Sequence, residues 1–167
     1  IGTLETERSR EGHRVCGTAI QKAHAVETLF FCADSTGCVD GVPVRTRNEA
    51  LSFLAGKLQD AGIVDERFLM SVEARERAGS TCFLELFAIP HAIEMNAQRT
   101  VFCVLVSERG IMWDKVLIHV VLMIAVHADD RSNFMTLFDN VARALCDKTR
   151  VAEMARSRTL KDLTAWL

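Results

Sequence analysis

Val116-Leu117-Ile118-His119-Val120-Val121-Leu122-Met123-Ile124-Ala125-Val126 is the longest apolar stretch of the chain, eleven residues broken only by His119. A membrane-spanning helix needs about 20 such residues, so this run is too short to cross a bilayer and is predicted to be a strand buried on both faces. Working outward, Thr100 to Val106 is rich in β-branched and aromatic residues, and Cys82 to Ile89 is apolar except for Glu85. Both are predicted strands, with the polar Ser107-Glu108-Arg109-Gly110 as the turn between the later two. A further strand is expected near Thr28 to Cys32, before the Gly/Pro turn region Gly37 to Pro43.

The flanking segments change period. Thr46-Arg47-Asn48-Glu49 has the form of a capping box, and Leu51, Leu54, Ala55 and Leu58 follow at helical spacing before Gly62, a left-handed terminator. Asp65 is expected to cap a second helix with Phe68, Leu69 and Val72 on its apolar face, ending at Gly79. Phe134, Leu137, Phe138, Val141 and Leu145 return to helical spacing, a short helix is expected around Val151 to Ala155, and Thr159-Leu160-Lys161-Asp162 caps a terminal one bearing Leu163, Trp166 and Leu167. Helices flanking a cluster of buried strands predict an α/β fold, a three-layer sandwich with a central mixed β-sheet.

Composition excludes several classes. The 167 residues carry 20 Lys+Arg against 22 Asp+Glu, a net charge of −2 without a dense basic block, so direct nucleic-acid binding is not expected. The opening stretch alternates Glu5, Glu7 and Glu11 with Arg8, Arg10 and Arg14 and is no secretory signal. Residues 1–25 lack periodicity and are expected to be a peripheral extension of a domain spanning 26–167. The chain does not begin with Met, consistent with a processed start or a piece of a longer polypeptide. Six cysteines (Cys16, Cys32, Cys38, Cys82, Cys103, Cys146) are scattered without a close pair, so no metal site is expected. They are read as reduced thiols, packed as small hydrophobes in a cytoplasmic protein.

Chemistry concentrates at Ala88-Ile89-Pro90-His91. Pro90 cannot continue a central ladder, so the chain leaves the sheet there with His91 at its mouth. A neutral imidazole in that position can hold one ring nitrogen on a neighbouring acceptor and offer the other as a nucleophile. A histidine decorating a strand-end turn is the plainer alternative. His119 is read as a satisfied polar residue of the long strand. His127-Ala128-Asp129-Asp130 could approach the His91 mouth, although adjacent loop carboxylates are usually just solvated.

Arg75-Glu76, Gly79-Ser80-Thr81 and Ala88-Ile89-Pro90-His91-Ala92 together resemble the signature of fructose/mannitol-type (type 2) enzyme IIA domains of the bacterial phosphoenolpyruvate-dependent sugar phosphotransferase system, which typically read R-E, a short spacer, S-T, then A-I-P-H. The resemblance covers about Ala50 to Leu167. It implies that His91 accepts a phosphoryl group from the phosphocarrier protein HPr, with Arg75 supplying guanidinium donors, Thr81 a supporting hydroxyl, and no cofactor. Taken alone, Arg75 would read as a solvated helix residue and Thr81 as a turn hydroxyl.

Two departures from the family pattern bear on role. Asn133 stands about where many transporting members carry a second histidine, and asparagine cannot titrate. Phe83-Leu84-Glu85-Leu86-Phe87 replaces the usual small residues. Both departures argue against onward transfer to a IIB domain, and the Phe134/Leu137/Phe138 pattern with the Ala88-Ile89-Pro90-His91-Ala92 ending looks more like the IIA-like C-terminal domains of BglG/LicR/MtlR-type transcriptional regulators and antiterminators. The leading expectation is therefore a regulatory phosphoacceptor domain working with upstream domains of the same polypeptide. The alternatives are a transport IIA component passing phosphate from His91 to a IIB domain, and a degenerate module that binds partners without being phosphorylated.

Overall fold

The computed structural model describes residues 26–165, so the expectations for residues 1–25 and for Trp166 and Leu167 lie outside it. Five strands form one mixed sheet in the order β1 (Glu27–Cys32), β6 (Val101–Trp113), β7 (Val116–Ala125), β5 (Phe87–Ala88), β4 (Cys82–Phe83). β1 runs parallel to β6 and β5 parallel to β7, whereas β6/β7 and β4/β5 are antiparallel. A small separate hairpin, β2 (Cys38–Val39) and β3 (Val42–Pro43), forms in the Gly/Pro region.

The pleat splits β6 between two cores. Val101, Cys103 and Leu105 join the helices α1 (Arg47–Asp60) and α2 (Phe68–Ala78) on one face. Phe102, Val104 and Val106 join α3 (Arg131–Leu145), α4 (Lys148–Ala155) and α5 (Leu160–Thr164) on the other. A strand buried on both faces has no polar side to alternate with, which is why β6 and β7 read as continuous apolar runs. The three-layer expectation holds. No described helix is long and apolar enough to cross a membrane.

The capping chemistry is in place. Thr46 and Glu49 form the full capping box of α1, with the Thr46 oxygen accepting from Glu49 N at 3.3 Å and Glu49 Oε2 accepting from Thr46 N at 3.0 Å. Gly62 takes φ +68° beyond the end of that helix. Leu51, Leu54 and Leu58 are fully covered, each stabilising the fold by about 1.5–3 kcal/mol. A second capping box, Thr159 with Asp162, starts α5.

Three local expectations need correction. Asp65 does not cap α2 directly; its carboxylate accepts Arg67 N at 3.0 Å in the preceding turn, and the helix starts at Phe68. Ser107–Gly110 is not the turn between strands. β6 runs through it as a bulge, in which Ser107 Oγ accepts Gly110 N at 3.1 Å, and the chain reverses later, at Asp114-Lys115. Gly110 lies at φ +90°, where any side chain is strained and a Cβ would stand 2.6 Å from Leu117 Cγ, forcing that side chain aside. Opposite the bulge, the ring of His119 donates from Nδ1 to Ser107 O at 2.9 Å, the satisfied role expected of it.

The third correction matters most for the site. Cys82 to Ile89 is not one strand but the tight hairpin β4–β5, pairing Phe83 with Phe87. Its turn closes through Leu86 N to Phe83 O at 2.9 Å, with Leu84 and Glu85 at φ 51° and 57°. Two positive φ values in a row are the mirror-image turn geometry that favours Asn-Gly, and each costs a side-chain-bearing residue about 1 kcal/mol. Replacing Leu84-Glu85 by Asn-Gly is expected to raise stability by about 1 kcal/mol, seen as a higher urea midpoint. An unchanged midpoint would show that the turn stores no strain.

The cysteine expectation holds in part. All five described cysteines are free thiols, but only Cys103 is fully buried and Cys146 is exposed. Burial pushes the Cys103 thiol up, beyond the range in which it ionises.

Candidate functional site

β5 ends where Pro90 brings no N–H to the ladder, yet the Pro90 carbonyl still accepts Ile124 N at 3.0 Å and His91 bridges to Ile124. The imidazole therefore sits near the carboxyl ends of the parallel pair β5/β7, the region where open α/β sheets place their sites. His91 is 8% exposed, more enclosed than a strand-mouth position suggests. Nδ1 lies 2.9 Å from the carbonyl of Ile89. A carbonyl only accepts, so Nδ1 carries the proton and the lone pair belongs to Nε2.

Burial is the main influence holding the His91 imidazole below its ordinary pKa. The Ile89 carbonyl raises it, the Arg75 cation lowers it and the Glu76 carboxylate raises it. In the unfolded chain the ring titrates near 6.5, so on acidification the unfolded state takes up its proton first. The contribution of His91 to stability is thus complete above 6.5 and lost as pH falls from there towards the folded value. Urea unfolding is expected to show a steeper loss of stability below pH 6.5 in the wild type than in His91→Gln; parallel slopes would contradict this.

On the α2 side, Arg75 Nη1 donates to Gly79 O at 2.8 Å, tying the guanidinium to the end of its own helix. Glu76 is the member that the sequence reasoning left without a role. Its carboxylate is 5% exposed and accepts Thr81 N (3.0 Å), Thr81 Oγ1 (2.7 Å), Ser80 Oγ (3.3 Å) and Trp113 Nε1 (2.8 Å). The Thr81 hydroxyl thus spends its proton on Glu76 and is itself buried. The Ser-Thr pair braces the acid of the R-E pair, a link that the spacing of Glu76 and Thr81 hints at but that Trp113, distant in sequence, does not.

On the α3 side, the imidazole meets the rings of Phe134 (centroids 5.3 Å) and Phe138 (5.7 Å). Asn133 is exposed, one residue before Phe134. His127 sits apart from this arrangement in role: its Nδ1 accepts Asp129 N at 3.2 Å as the cap of the 3-10 turn Ala128–Asp130, and Asp130 accepts the Thr100 hydroxyl. Among the described residues no group of three or more His, Cys, Asp or Glu side chains is placed to hold a metal ion.

Fold and site define a three-layer α/β domain presenting one imidazole at the ends of two parallel strands, with a guanidinium and a braced carboxylate nearby. Residues 39–167 match the family described as "Phosphoenolpyruvate-dependent sugar phosphotransferase system, EIIA 2", and the chain belongs to that family. Over 138 residues it is 24% identical to the "Probable licABCH operon regulator" of Bacillus subtilis (strain 168), covering 83% of this chain but only 20% of that protein. The chain thus spans about a fifth of the length of that curated relative. The fold matches the crystal structure of IIA mannitol from Escherichia coli, at TM-score 0.60 and 20% identity over 73% of this chain and 89% of that one. It also matches the complex of enzyme IIAMTL and phosphorylated enzyme IIBMTL from Escherichia coli, at TM-score 0.63 and 17% identity over 87% and 96%.

Proposed function

We propose that this is a regulatory phosphoacceptor domain, spanning 26–167, in which Nε2 of His91 accepts a phosphoryl group from phospho-HPr. The Nε2 lone pair attacks phosphorus, the bond to the donor nitrogen breaks, and the electron pair of that bond returns to the donor. Phosphoryl transfer demands mainly alignment and charge stabilisation, with little covalent chemistry from the rest of the protein. In this reading the Arg75 guanidinium, whose cation is felt by the His91 ring, steadies the equatorial oxygens, and its bond to the Gly79 carbonyl limits its travel. Thr81 acts indirectly, by holding Glu76. The added negative charge then changes a contact with other domains of a longer regulatory polypeptide in the cytoplasm, a local electrostatic event read at a distance.

One observation carries this reading: Nδ1 of His91 is committed to a carbonyl, which leaves Nε2 free in a neutral ring. The Bacillus subtilis relative, named as a probable operon regulator, favours regulation over transport. Asn133 supports the same choice, because it offers no second titrating group for onward transfer to a IIB domain. Incubation with phosphoenolpyruvate, enzyme I and HPr is the test. An acid-labile phosphate that forms only when HPr is present is expected; no label on the folded wild type would overturn the proposal.

A further inference from the structure

The aromatic side of the site does more than fill space. Phe134 and Phe138 are four residues apart on α3 and so project from one helix face, with ring centroids 5.8 Å apart. The imidazole lies against both, tilted 55° to Phe134 and 75° to Phe138, at separations suited to edge-type aromatic pairing. Two non-parallel rings form a notch, and a flat group wedged in a notch cannot turn about its Cβ–Cγ bond without displacing one wall. The walls are themselves supported. Phe83 packs on Phe138 at 5.5 Å and stacks on Phe87 at 5.7 Å, an alignment set by the strained Leu84-Glu85 turn.

We infer that Phe134 and Phe138 are positioning residues, which lock the His91 ring in the orientation that keeps Nδ1 on the Ile89 carbonyl and leaves Nε2 as the nitrogen with the lone pair. A flipped ring would carry Nε2 away from the transfer position and leave the Ile89 carbonyl without this donor. The strain in the β4–β5 turn is then accounted for, because a relaxed turn of other geometry would not bring Phe83 behind Phe138. The part of the inference that concerns transfer rests on His91 being the phosphoacceptor; the part that concerns the ring does not.

The test uses Phe134→Leu and Phe138→Leu, which keep apolar bulk, and Phe138→Tyr, which keeps the ring and lets its hydroxyl reach solvent from a half-buried site. Two-bond 1H–15N spectra of the unphosphorylated chain report which ring nitrogen of His91 carries the proton. Potassium phosphoramidate, a small donor that needs no protein partner, reports the rate of labelling. The leucine variants are expected to show mixed tautomers and labelling slower by roughly 10- to 100-fold, the size of effect that small misplacement of a reacting group produces, with Phe138→Tyr close to wild type. A pure Nδ1–H tautomer and wild-type labelling in both leucine variants would overturn the inference. If neither phosphoramidate nor phospho-HPr modifies wild-type His91, the phosphoacceptor reading falls instead, and the tautomer spectra alone decide whether the notch positions the ring.

Discussion

His91→Gln is expected to abolish phosphate incorporation from the phosphoenolpyruvate, enzyme I and HPr chain while leaving the protein folded. Glutamine is the informative substitution because its bulk can rest against Phe134 and Phe138 and its amide stays polar, yet it has no nucleophilic lone pair on nitrogen. The other described histidines supply the controls. His127 accepts Asp129 N at Nδ1, so as a neutral ring it carries its proton on Nε2 and has no lone pair to spare. His119 has the same tautomer as His91, with Nδ1 on Ser107 O, but it lies at the β6 bulge, without the contacts that surround His91. His119→Ala is therefore expected to retain full labelling. Label persisting in His91→Gln would remove His91 from the phosphoacceptor role.

The second large effect is structural. Glu76→Ala leaves the Trp113 indole N–H, the Thr81 N–H and the Thr81 hydroxyl buried without their acceptor. Each orphaned group costs about 1–3 kcal/mol before relaxation, so a total loss of about 3–5 kcal/mol is expected. Domains of this size hold only about 5–15 kcal/mol in all, so the variant approaches the unfolding threshold. Glu76→Gln should be much milder, about 1 kcal/mol. Its carbonyl can take the three donors now at Oε1, while its amide N–H₂ turns to Thr81, whose hydroxyl oxygen can accept instead of donate. Urea unfolding of the two variants measures both. Equal losses in alanine and glutamine would mean that the ionised carboxylate, which both variants lack, rather than the bulk and carbonyl acceptor that glutamine retains, is the contribution of Glu76.

Much of this architecture could be read from residue order because its signals are local. The Thr46/Glu49 box, the Leu51/Leu54/Leu58 face and the Ala-Ile-Pro-His block each act within a few residues, and each stands where the sequence places it. The errors arose where geometry overrides composition. Leu84-Glu85 carries no glycine or asparagine to announce a mirror-image turn, so an apolar run that folds back on itself looked continuous. Ser-Glu-Arg-Gly has the composition of a turn, but Ser107 uses its hydroxyl to hold the bulge and the strand goes on. The brace of Glu76 by Trp113 and the Phe134/Phe138 notch unite residues 37 or more positions apart, and no spacing rule reaches that far.

The mixed direction of the sheet also bears on how the molecule assembles. β6 and β7 are joined by a two-residue reversal at Asp114-Lys115 and can pair soon after the chain collapses. β1 joins β6 in parallel only after everything between Cys32 and Val101 has been looped out, both α1–α2 helices and the β4–β5 hairpin included. β5 in turn needs β7 already present, because it pairs with β7 directly and in parallel while β6 lies between the two in the sequence. Closing such long loops costs entropy before the pairing returns any stability, which makes these the slow steps. His91 hangs on the β5–β7 junction, so its ring is among the last parts of the domain to reach its place, and a chain emerging from the ribosome acquires its scaffold before it acquires its candidate site.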